Sequence, residues 1–497
     1  MQNTFLSLYT AEQTRELDRL AIQQEGIPGY ILMKRAAACT FHHLMATWPE
    51  CKRVVVICGV GNNGGDGYIV AQLAHAQGLH VEVYQLGDIE KQKGDALTAR
   101  KDMLAEGIKI QSYEAGIVIN ADLIVDAMLG TGLERDVTGL WLSAIQAINL
   151  SPANVVAVDI PSGLHADTGC QLGEAVIADL TVTFIGRKQG LFTADGKVCS
   201  GQVMFDDLEV PSKLYDQVSS ETHLMLNKLS GPLLKPRDVN SHKGQHGHVL
   251  VIGGAPGMNG AVCMAAMAAL RCGCGLVSVA THPSHAVNIN LAQPEIMSHA
   301  VANGDDLKIL IGSADVIILG PGLGQSAWAQ ELYQTVIKTE KPLILDADGL
   351  NLLANNVVQK NNWILTPHPG EAGRLLDCGT QEVQKDRFQS IKNIQAKYAG
   401  ICVLKGAGTL IYDGAKVRVC PAGNAGMASA GMGDVLSGIL GSVVAQAMKQ
   451  SLDLFDSASF AVLLHACAGD EAAKQDGEKG LLATDLLPHI RRIINGR

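Results

Sequence analysis

Short apolar runs alternate with longer helical segments along the chain. In the first half "RVVVICG" reads as a buried strand, a glycine turn follows, and "GYIVAQLAHAQG" reads as a helix. The strands "HVEVYQLG", "ADLIVDAMLG", "NVVAVDIPSG" and "LTVTFIG" continue the alternation. Buried strands interleaved with helices predict a largely parallel sheet covered on both faces. The pattern fades in "VPSKLYDQVSSETHLMLNKLSGPLLKPRDVNSHKG", where polar residues and prolines take over, and a linker is expected near Pro211–Lys228. Alternation then resumes with "HVLVIGG", "GLVSVAT", "ADVIILGPG", "KPLILDADG", "NWILTPHPG" and "GICVLKGAG". Three helical segments end the chain: "DVLSGILGSVVAQAM", "SASFAVLLHACAGDEAA" and "TDLLPHIRRII".

The length, 497 residues, exceeds what one hydrophobic core usually supports. Two α/β domains are expected, spanning residues 1–215 and 225–497. A formal net charge of -10 without a long basic run argues against nucleic acid or a membrane surface as partner. The 12 cysteines lack zinc spacing, since Cys272 and Cys274 form only C-x-C. They read as buried, reduced thiols of a cytoplasmic protein. "MQNTFLSLYTAEQTRELDRLA" has no signal-peptide pattern, and the apolar stretches Val435–Met448 and Phe460–Ala468 are too short to span a bilayer.

Two glycine-rich turns carry the candidate chemistry. In "CGVGNNGGDGYIV", Gly59, Gly61 and Gly64 fit the dinucleotide spacing G-x-G-x-x-G. The full pattern also needs an acidic residue ending the next strand, but "HVEVYQLG" ends in Gln85, Leu86 and a glycine. Ordinary hydride transfer with a nicotinamide cofactor is therefore disfavoured. Asn62, Asn63 and Asp66 stand in the turn, Asp126 ends "DLIVD", and Asp159 ends "VVAVD" with Ser162 close behind. Amides alone could simply close the turn. Oxygen-bearing side chains at three strand ends instead point to a crevice site, and they suit a hard cation better than zinc. Lys188, after the next strand, is either a solvated surface lysine or a group approaching Asp159 across that crevice.

The second turn is "PAGNAGMASAGMGDVLSGIL", Pro421–Leu440. Small residues leave N–H groups uncovered at a helix start, which suits a phosphate. A carboxylate there, Asp434, would repel that phosphate unless it has other work. Phosphoryl transfer to an alcohol supplies it: N–H groups steady the moving phosphoryl group while Asp434 takes the hydroxyl proton. Helix capping by the same residue is compatible with that role. "VLKGAGT" (Val403–Thr409), "TPHPGEAGRLL" (Thr366–Leu376), "GPGLG" (Gly320–Gly324) and "GGAPGMNGA" (Gly253–Ala261) all follow strands and complete a cleft.

These motifs resemble a known family. "GNNGGDG", "DAMLGTGL" and "DIPSGL" are similar to NAD(P)H-hydrate epimerases. "HPGE", "KGAGT" and "NAGMASAGMGDVLSGI" are similar to the ribokinase-like ADP-dependent (S)-NAD(P)H-hydrate dehydratases. The resemblance implies a Rossmann-like three-layer α/β domain followed by a ribokinase-like α/β domain. It implies that the first interconverts R and S hydrates, and that the second dehydrates the S form with ADP as phosphoryl donor, accompanied by Mg. Potassium would bind Asn63, Asp126 and Ser162. The epimerase would contact its hydrate through Asn62, Asn63, Gly64, Gly65, Asp66, Gly130, Thr131, Gly132, Leu133, Glu134, Arg135, Asp136 and Asp159, with Asp159 and Lys188 as the candidate acid–base pair. In the dehydratase the hydrate would meet Gly260, Gly322, Gly324, His368, Pro369, Gly370, Glu371, Arg374 and Asp434. ADP would lie on Lys405, Gly406, Ala407, Gly408 and Thr409, and on Asn424, Ala425, Gly426, Met427, Ala428, Ser429, Ala430, Gly431, Met432 and Gly433. Partners are expected to be small molecules, with the chain forming a homo-oligomer. A ribokinase-like small-molecule kinase carrying a non-catalytic N-terminal binding module remains the alternative, and ADP is not separable from ATP on physical grounds.

Overall fold

The computed structural model describes residues 5–226 and 234–496. The chain divides into two compact units, Ser7–Thr222 and His223–Arg497, with Met1–Leu6 counted in the second. Strand β1 (Phe5–Leu8) opens the described chain. In the first unit β2 (Arg53–Cys58), β3 (His80–Gln85), β4 (Ile110–Ser112), β5 (Leu123–Ala127), β6 (Asn154–Val158), β7 (Leu180–Phe184) and β8 (Gln202–Asp206) form one sheet. Its order is β4-β3-β2-β5-β6-β7-β8, and every neighbouring pair is parallel. Successive residues of a strand face opposite sides, so Val54 and Val56 enter one core while Val55 and Ile57 enter another. That is why these strands read as continuous apolar runs. The order reverses direction between β2 and β5, and such a switch point opens a crevice at the carboxyl ends of the strands.

The second unit's strands are β9 (Thr222–Met225), β10 (His248–Gly253), β11 (Leu276–Thr281), β12 (Met297–Ala300), β13 (Val316–Leu319), β14 (Leu343–Leu345), β15 (Trp363–Leu365), β16 (Ile401–Leu404), β17 (Thr409–Tyr412) and β18 (Val417–Cys420). The sheet order is β1-β9-β18-β17-β16-β15-β14-β13-β10-β11-β12. From β12 to β16 the pairing is parallel, with a switch point between β10 and β13. β17 pairs antiparallel with both β16 and β18. They are four residues each, too short to show a period in the sequence.

The division between the two units falls inside the stretch expected as a linker, and that stretch carries secondary structure of its own. Pro211–Leu226 carries a short 3-10 turn, Ser212–Gln217, and then strand β9, while Asn227 and Lys228 lie outside the described residues. Polar composition hid a strand whose four residues Thr222–Met225 are stabilised by pairing at the sheet, not by their own pattern. Two helices dominate the second core: Met432–Met448, buried along most of its length, and Leu454–Asp476. The first presses on the alanine-rich helix Asn259–Arg271 so closely that a Cβ on Gly438 would stand 2.1 Å from the Ala265 carbonyl oxygen. Small residues on both sides permit that approach, and it fixes where the helix start at Gly431 sits. Among the described residues no helix is long and apolar enough to cross a membrane.

Candidate active sites

The first site gathers at the β2/β5 switch point. The helix after β2 begins at Asn62, not at Gly67, so the asparagines and Asp66 occupy its first turns. Glycine is needed there for close approach: a Cβ on Gly64 would stand 2.0 Å from the Gly59 carbonyl oxygen, and one on Gly59 would stand 1.9 Å from that of Met128. The dinucleotide spacing thus serves backbone packing that brings the helix start against the loop after β5. Asn63 is buried there, and its Nδ2 donates to the Leu129 carbonyl at 3.1 Å. Asp126, fully buried on β5, accepts from Ser162 Oγ at 2.6 Å, the Ser162 amide at 2.7 Å and the Met128 amide at 3.2 Å. Ser162 Oγ in turn accepts from the Leu129 amide at 2.8 Å. Burial pushes the Asp126 carboxyl up to about 6, against the pull of its hydrogen bonds from Ser162.

One atom of this group has no hydrogen-bond partner: the buried Oδ1 of Asn63. Leaving a buried acceptor unpaired costs about 1–3 kcal/mol. Beside a buried carboxylate, a hydroxyl and a carbonyl, it offers an oxygen donor to a hard cation. Among the described residues no three His, Cys, Asp or Glu side chains converge as a metal cluster. The donor set therefore suits an alkali or alkaline-earth cation and not zinc.

A second group adjoins it. Asp159 follows β6 in the left-handed region, φ 67°, and Ile185 follows β7 likewise at φ 61°. A β-branched residue there is strained, and such strain collects at functional sites. The turn after Ile185 folds Lys188 back over the strand ends. Its buried ammonium pairs with Asp159 and also donates to Phe184 O at 3.0 Å and Thr183 Oγ1 at 3.1 Å. Lys188 is thus a buried partner of Asp159 and not a surface lysine. Burial, Asp159 and Asp18 hold Asp66 well above the ordinary carboxyl range, with Lys188 opposing. Asp18, on the helix Ala11–Gln23, is pushed up to about 6 by burial, with Lys188 opposing and Asp159 adding. Asp18 carries no local signal, because it sits among ordinary charged positions of an amphipathic helix, 141 residues from Asp159. Gly130 packs on Asn63, 3.5 Å from a built Cβ to that side chain, whereas Glu134, Arg135 and Asp136 are exposed in the following loop.

The second site forms where the ends of five strands, β10, β13, β14, β15 and β16, meet the helix start at Gly431. The turn after β10 is zipped to the one after β13 by Ala255 N to Gly322 O at 2.7 Å and Gly254 N to Pro321 O at 3.1 Å. Asp348 accepts from the Gly324 amide at 2.8 Å and from Asn351 at 3.2 Å, and Asn351 accepts from Arg374 at 2.7 Å. This chain joins the "GPGLG" turn to the helix Pro369–Leu376. His368 caps that helix, accepting from the Gly370 amide, while Glu371 accepts from the His368 amide at 2.9 Å. Lys405 N bonds Pro367 O at 2.9 Å, which ties "KGAGT" to the same place. Arg387, buried and not foreseen, backs that turn by donating to the carbonyls of Leu404 at 3.2 Å and Lys405 at 3.4 Å. Asn424 Oδ1 accepts from the Gly426 amide at 3.0 Å, and its Nδ2 donates to Asp470 at 2.9 Å.

Asp434 lies in the first turn of Met432–Met448, half-buried. Burial first, then Asp346 and Glu371, raise its carboxyl to about 7, with Lys405 opposing. A Cβ on Gly433 would stand 3.3 Å from Lys405 Nζ, so the glycine keeps open the space between ammonium and helix start. Lys405 also pairs with Asp346 at 2.9 Å and lies 3.8 Å from Glu371. It therefore joins the "HPGE" and "KGAGT" stretches within that cleft. An anion cradle, a fixed cation and a carboxyl group poised to hold or release a proton near pH 7 are the parts that phosphoryl transfer to an alcohol requires.

Residues 249–492 match the family model described as NAD(P)H-hydrate dehydratase, and residues 29–190 match the YjeF-related protein N-terminus. The chain is 48% identical over 489 residues to the bifunctional NAD(P)H-hydrate repair enzyme Nnr of Coxiella burnetii, covering 98% of this chain and 99% of that protein. It is 41% identical over 490 residues to the Escherichia coli K12 enzyme of the same name, covering 98% and 94%. The crystal structure of the ADP/ATP-dependent NAD(P)H-hydrate dehydratase from Bacillus subtilis, co-crystallised with ATP and Mg2+, is 30% identical, covering 53% of this chain and 94% of that one at a TM-score of 0.47. The chain belongs to the family of bifunctional NAD(P)H-hydrate repair enzymes.

Proposed function

We propose that this chain repairs NADH and NADPH whose nicotinamide ring has taken up water. The unit Ser7–Thr222 epimerises R and S hydrates, and the unit His223–Arg497 dehydrates the S form with ADP, giving reduced nucleotide, AMP and phosphate. The observation that carries this reading is Asp434. Its carboxyl group is held near neutral pH at a glycine-rich helix start beside Lys405, in a chain related to the repair enzymes over nearly its full length.

The hydrate's C6 hydroxyl is a poor leaving group. ADP lies along Lys405–Thr409 and Asn424–Gly433, with Lys405 and the helix-start N–H groups on its phosphates. Asp434 takes the C6 hydroxyl proton as that oxygen attacks the terminal phosphorus, and AMP departs. The ring nitrogen then expels phosphate from C6, and loss of the C5 proton restores the dihydropyridine. Mg, carried in with the nucleotide, would supply positive charge on the phosphates. His368, Glu371, Arg374 and the turn holding Gly322 and Gly324 orient the hydrate.

Epimerisation uses the same instability at C6. Protonation of the hydroxyl releases water, the ring nitrogen shares the positive charge, and water returns to either face. Asp159 with Lys188 is the acid–base pair in this reading, and Asn62, Asp66 and the loop Gly130–Asp136 hold the hydrate. Asn63, Asp126 and Ser162 fit potassium through the unpaired Asn63 Oδ1, and the ion would supply a fixed positive charge holding Asp126 ionised. A cytoplasmic location and a homo-oligomeric state complete the reading, to be checked by fractionation and light scattering.

The test gives the purified chain mixed hydrate epimers with ADP or ATP. Full conversion of both epimers, with AMP and phosphate matching the reduced nucleotide formed, is expected with ADP. A phosphorylated alcohol accumulating without reduced nucleotide would mark a kinase. Conversion of the S epimer alone would mark a non-catalytic first unit.

A further inference from the structure

Asp346 follows β14 in "DADG", outside every motif that carries the family resemblance. It is buried, yet its carboxylate is fully engaged. Oδ1 accepts from Lys405 Nζ at 2.9 Å and Thr366 Oγ1 at 2.9 Å, and Oδ2 accepts from Ser437 Oγ at 2.7 Å. Its backbone is held as firmly: the Asp346 amide donates to Leu319 O at 3.1 Å, and a Cβ on Gly320 would stand 1.8 Å from the Asp346 carbonyl oxygen. Ala347 follows in the left-handed region at φ 47°. One side chain thus fastens the strand end at Thr366, the "KGAGT" lysine and the helix carrying Asp434, with Ser437 one turn further along that helix. A Cβ on Gly433 would lie 3.6 Å from Asp346 Oδ2 and 3.3 Å from Lys405 Nζ, so the pair borders the space in front of the helix start.

We propose that Asp346 is a positioning residue of the dehydration reaction: it fixes the Lys405 ammonium opposite the Gly433 turn and keeps that ammonium from pairing with Asp434. This rests on the dehydratase reading of the second unit. A lysine at a phosphate site must stay charged, stay placed, and leave the base free. A buried carboxylate with three donors meets all three needs. Burial works against its charge, but Lys405, Ser437 and Thr366 together hold it below the ordinary carboxyl range. The charged groups facing Asp434 are Asp346, Lys405 and Glu371, and Lys405 is itself faced by Asp346, Glu371 and Asp434 and by the imidazoles of His368 and the buried His465.

Asp346→Asn in the full-length chain keeps the shape and removes the charge. Two effects are expected together. Turnover of the S hydrate at pH 8 falls at least tenfold, because Lys405 is no longer held. The acid limb of kcat/KM moves down by about one pH unit, because a like charge beside Asp434 has gone and Lys405 is free to pair with it. The second unit's own denaturation transition reports that it is folded, because epimerisation belongs to the other unit. A purely structural role lowers turnover without moving the limb, and that result overturns the proposal, as does turnover within twofold of wild type. Asp434→Asn is run beside it. If that variant keeps its dehydration, the reading of the site fails; if it loses dehydration while Asp346→Asn behaves as wild type, only this inference fails. Should Asp346→Asn not fold, Thr366→Val with Ser437→Ala keeps the charge but frees the carboxylate. Turnover must then fall at least fivefold, and unchanged turnover overturns the proposal.

Discussion

Asp434→Asn is the perturbation that separates a base from a helix cap. Asparagine keeps the volume and the helix start but cannot take the proton. A positioned base contributes about 10²–10⁴-fold, which is about 2.7–5.4 kcal/mol of barrier at 1.36 kcal/mol per decade. The structure adds a pH signature. With burial, Asp346 and Glu371 holding the carboxyl at about 7, the ionised fraction is about nine-tenths at pH 8 and about one-tenth at pH 6. The base must be ionised to act, so kcat/KM of the wild-type chain should fall about tenfold from pH 8 to pH 6. In the Asn variant that limb disappears, leaving only the titration of the substrates. ADP affinity should hold or rise, because a negative charge beside the phosphates is gone while the N–H groups remain. Epimerisation, in the other unit, should be untouched. The assay follows the reduced-nicotinamide absorbance from pure S hydrate at several pH values, with calorimetry for ADP. Turnover within tenfold of wild type, or an unchanged limb, would refute the base; a collapse of ADP binding in a folded variant would place the carboxylate on the nucleotide's metal instead.

Asp126→Ala should slow epimerisation and abolish its dependence on potassium while dehydration of pure S hydrate continues; short time courses with and without potassium measure both, and unchanged epimerisation at low potassium removes the cation site. Lys188→Met strands Asp159 beside Asp66 and Asp18, which should abolish epimerisation and destabilise the first unit by about 3–5 kcal/mol, read from its denaturation transition at pH 8. Because Asp66 and Asp18 titrate above the ordinary carboxyl range in the folded protein, their repulsion is relieved as pH falls, so the deficit should shrink at pH 5; a pH-independent deficit contradicts the charge argument. Gly433→Ala places a methyl 3.3 Å from Lys405 Nζ and should weaken ADP about tenfold, about 1.4 kcal/mol, with epimerisation unchanged; calorimetry showing wild-type affinity would mean the phosphates lie elsewhere.

Local chemistry was legible in the chain itself. Buried parallel strands announce themselves because both faces are covered, so apolar runs such as "RVVVICG" need no partner to be recognised. Glycines before an apolar helix raise the expectation of a phosphate site, and a carboxylate among them that of a proton to move. The oxygen-bearing strand ends Asn63, Asp126 and Ser162 were visible for the same reason: polar groups where an apolar pattern stops. Tertiary structure decided the rest, since it concerns which distant residues meet. Strand β9 exists because a sheet edge offers it hydrogen bonds, although its own composition reads as linker. Asp18 and Asp346 lie in an amphipathic helix and after an ordinary strand, where one charge carries no local signal. Only folding brings Asp346 to Lys405, 59 residues away, and to Ser437, 91 residues away. Charge interactions depend on distance through space and on burial. The proton affinity of Asp434 is therefore set by neighbours that its own stretch of sequence does not contain.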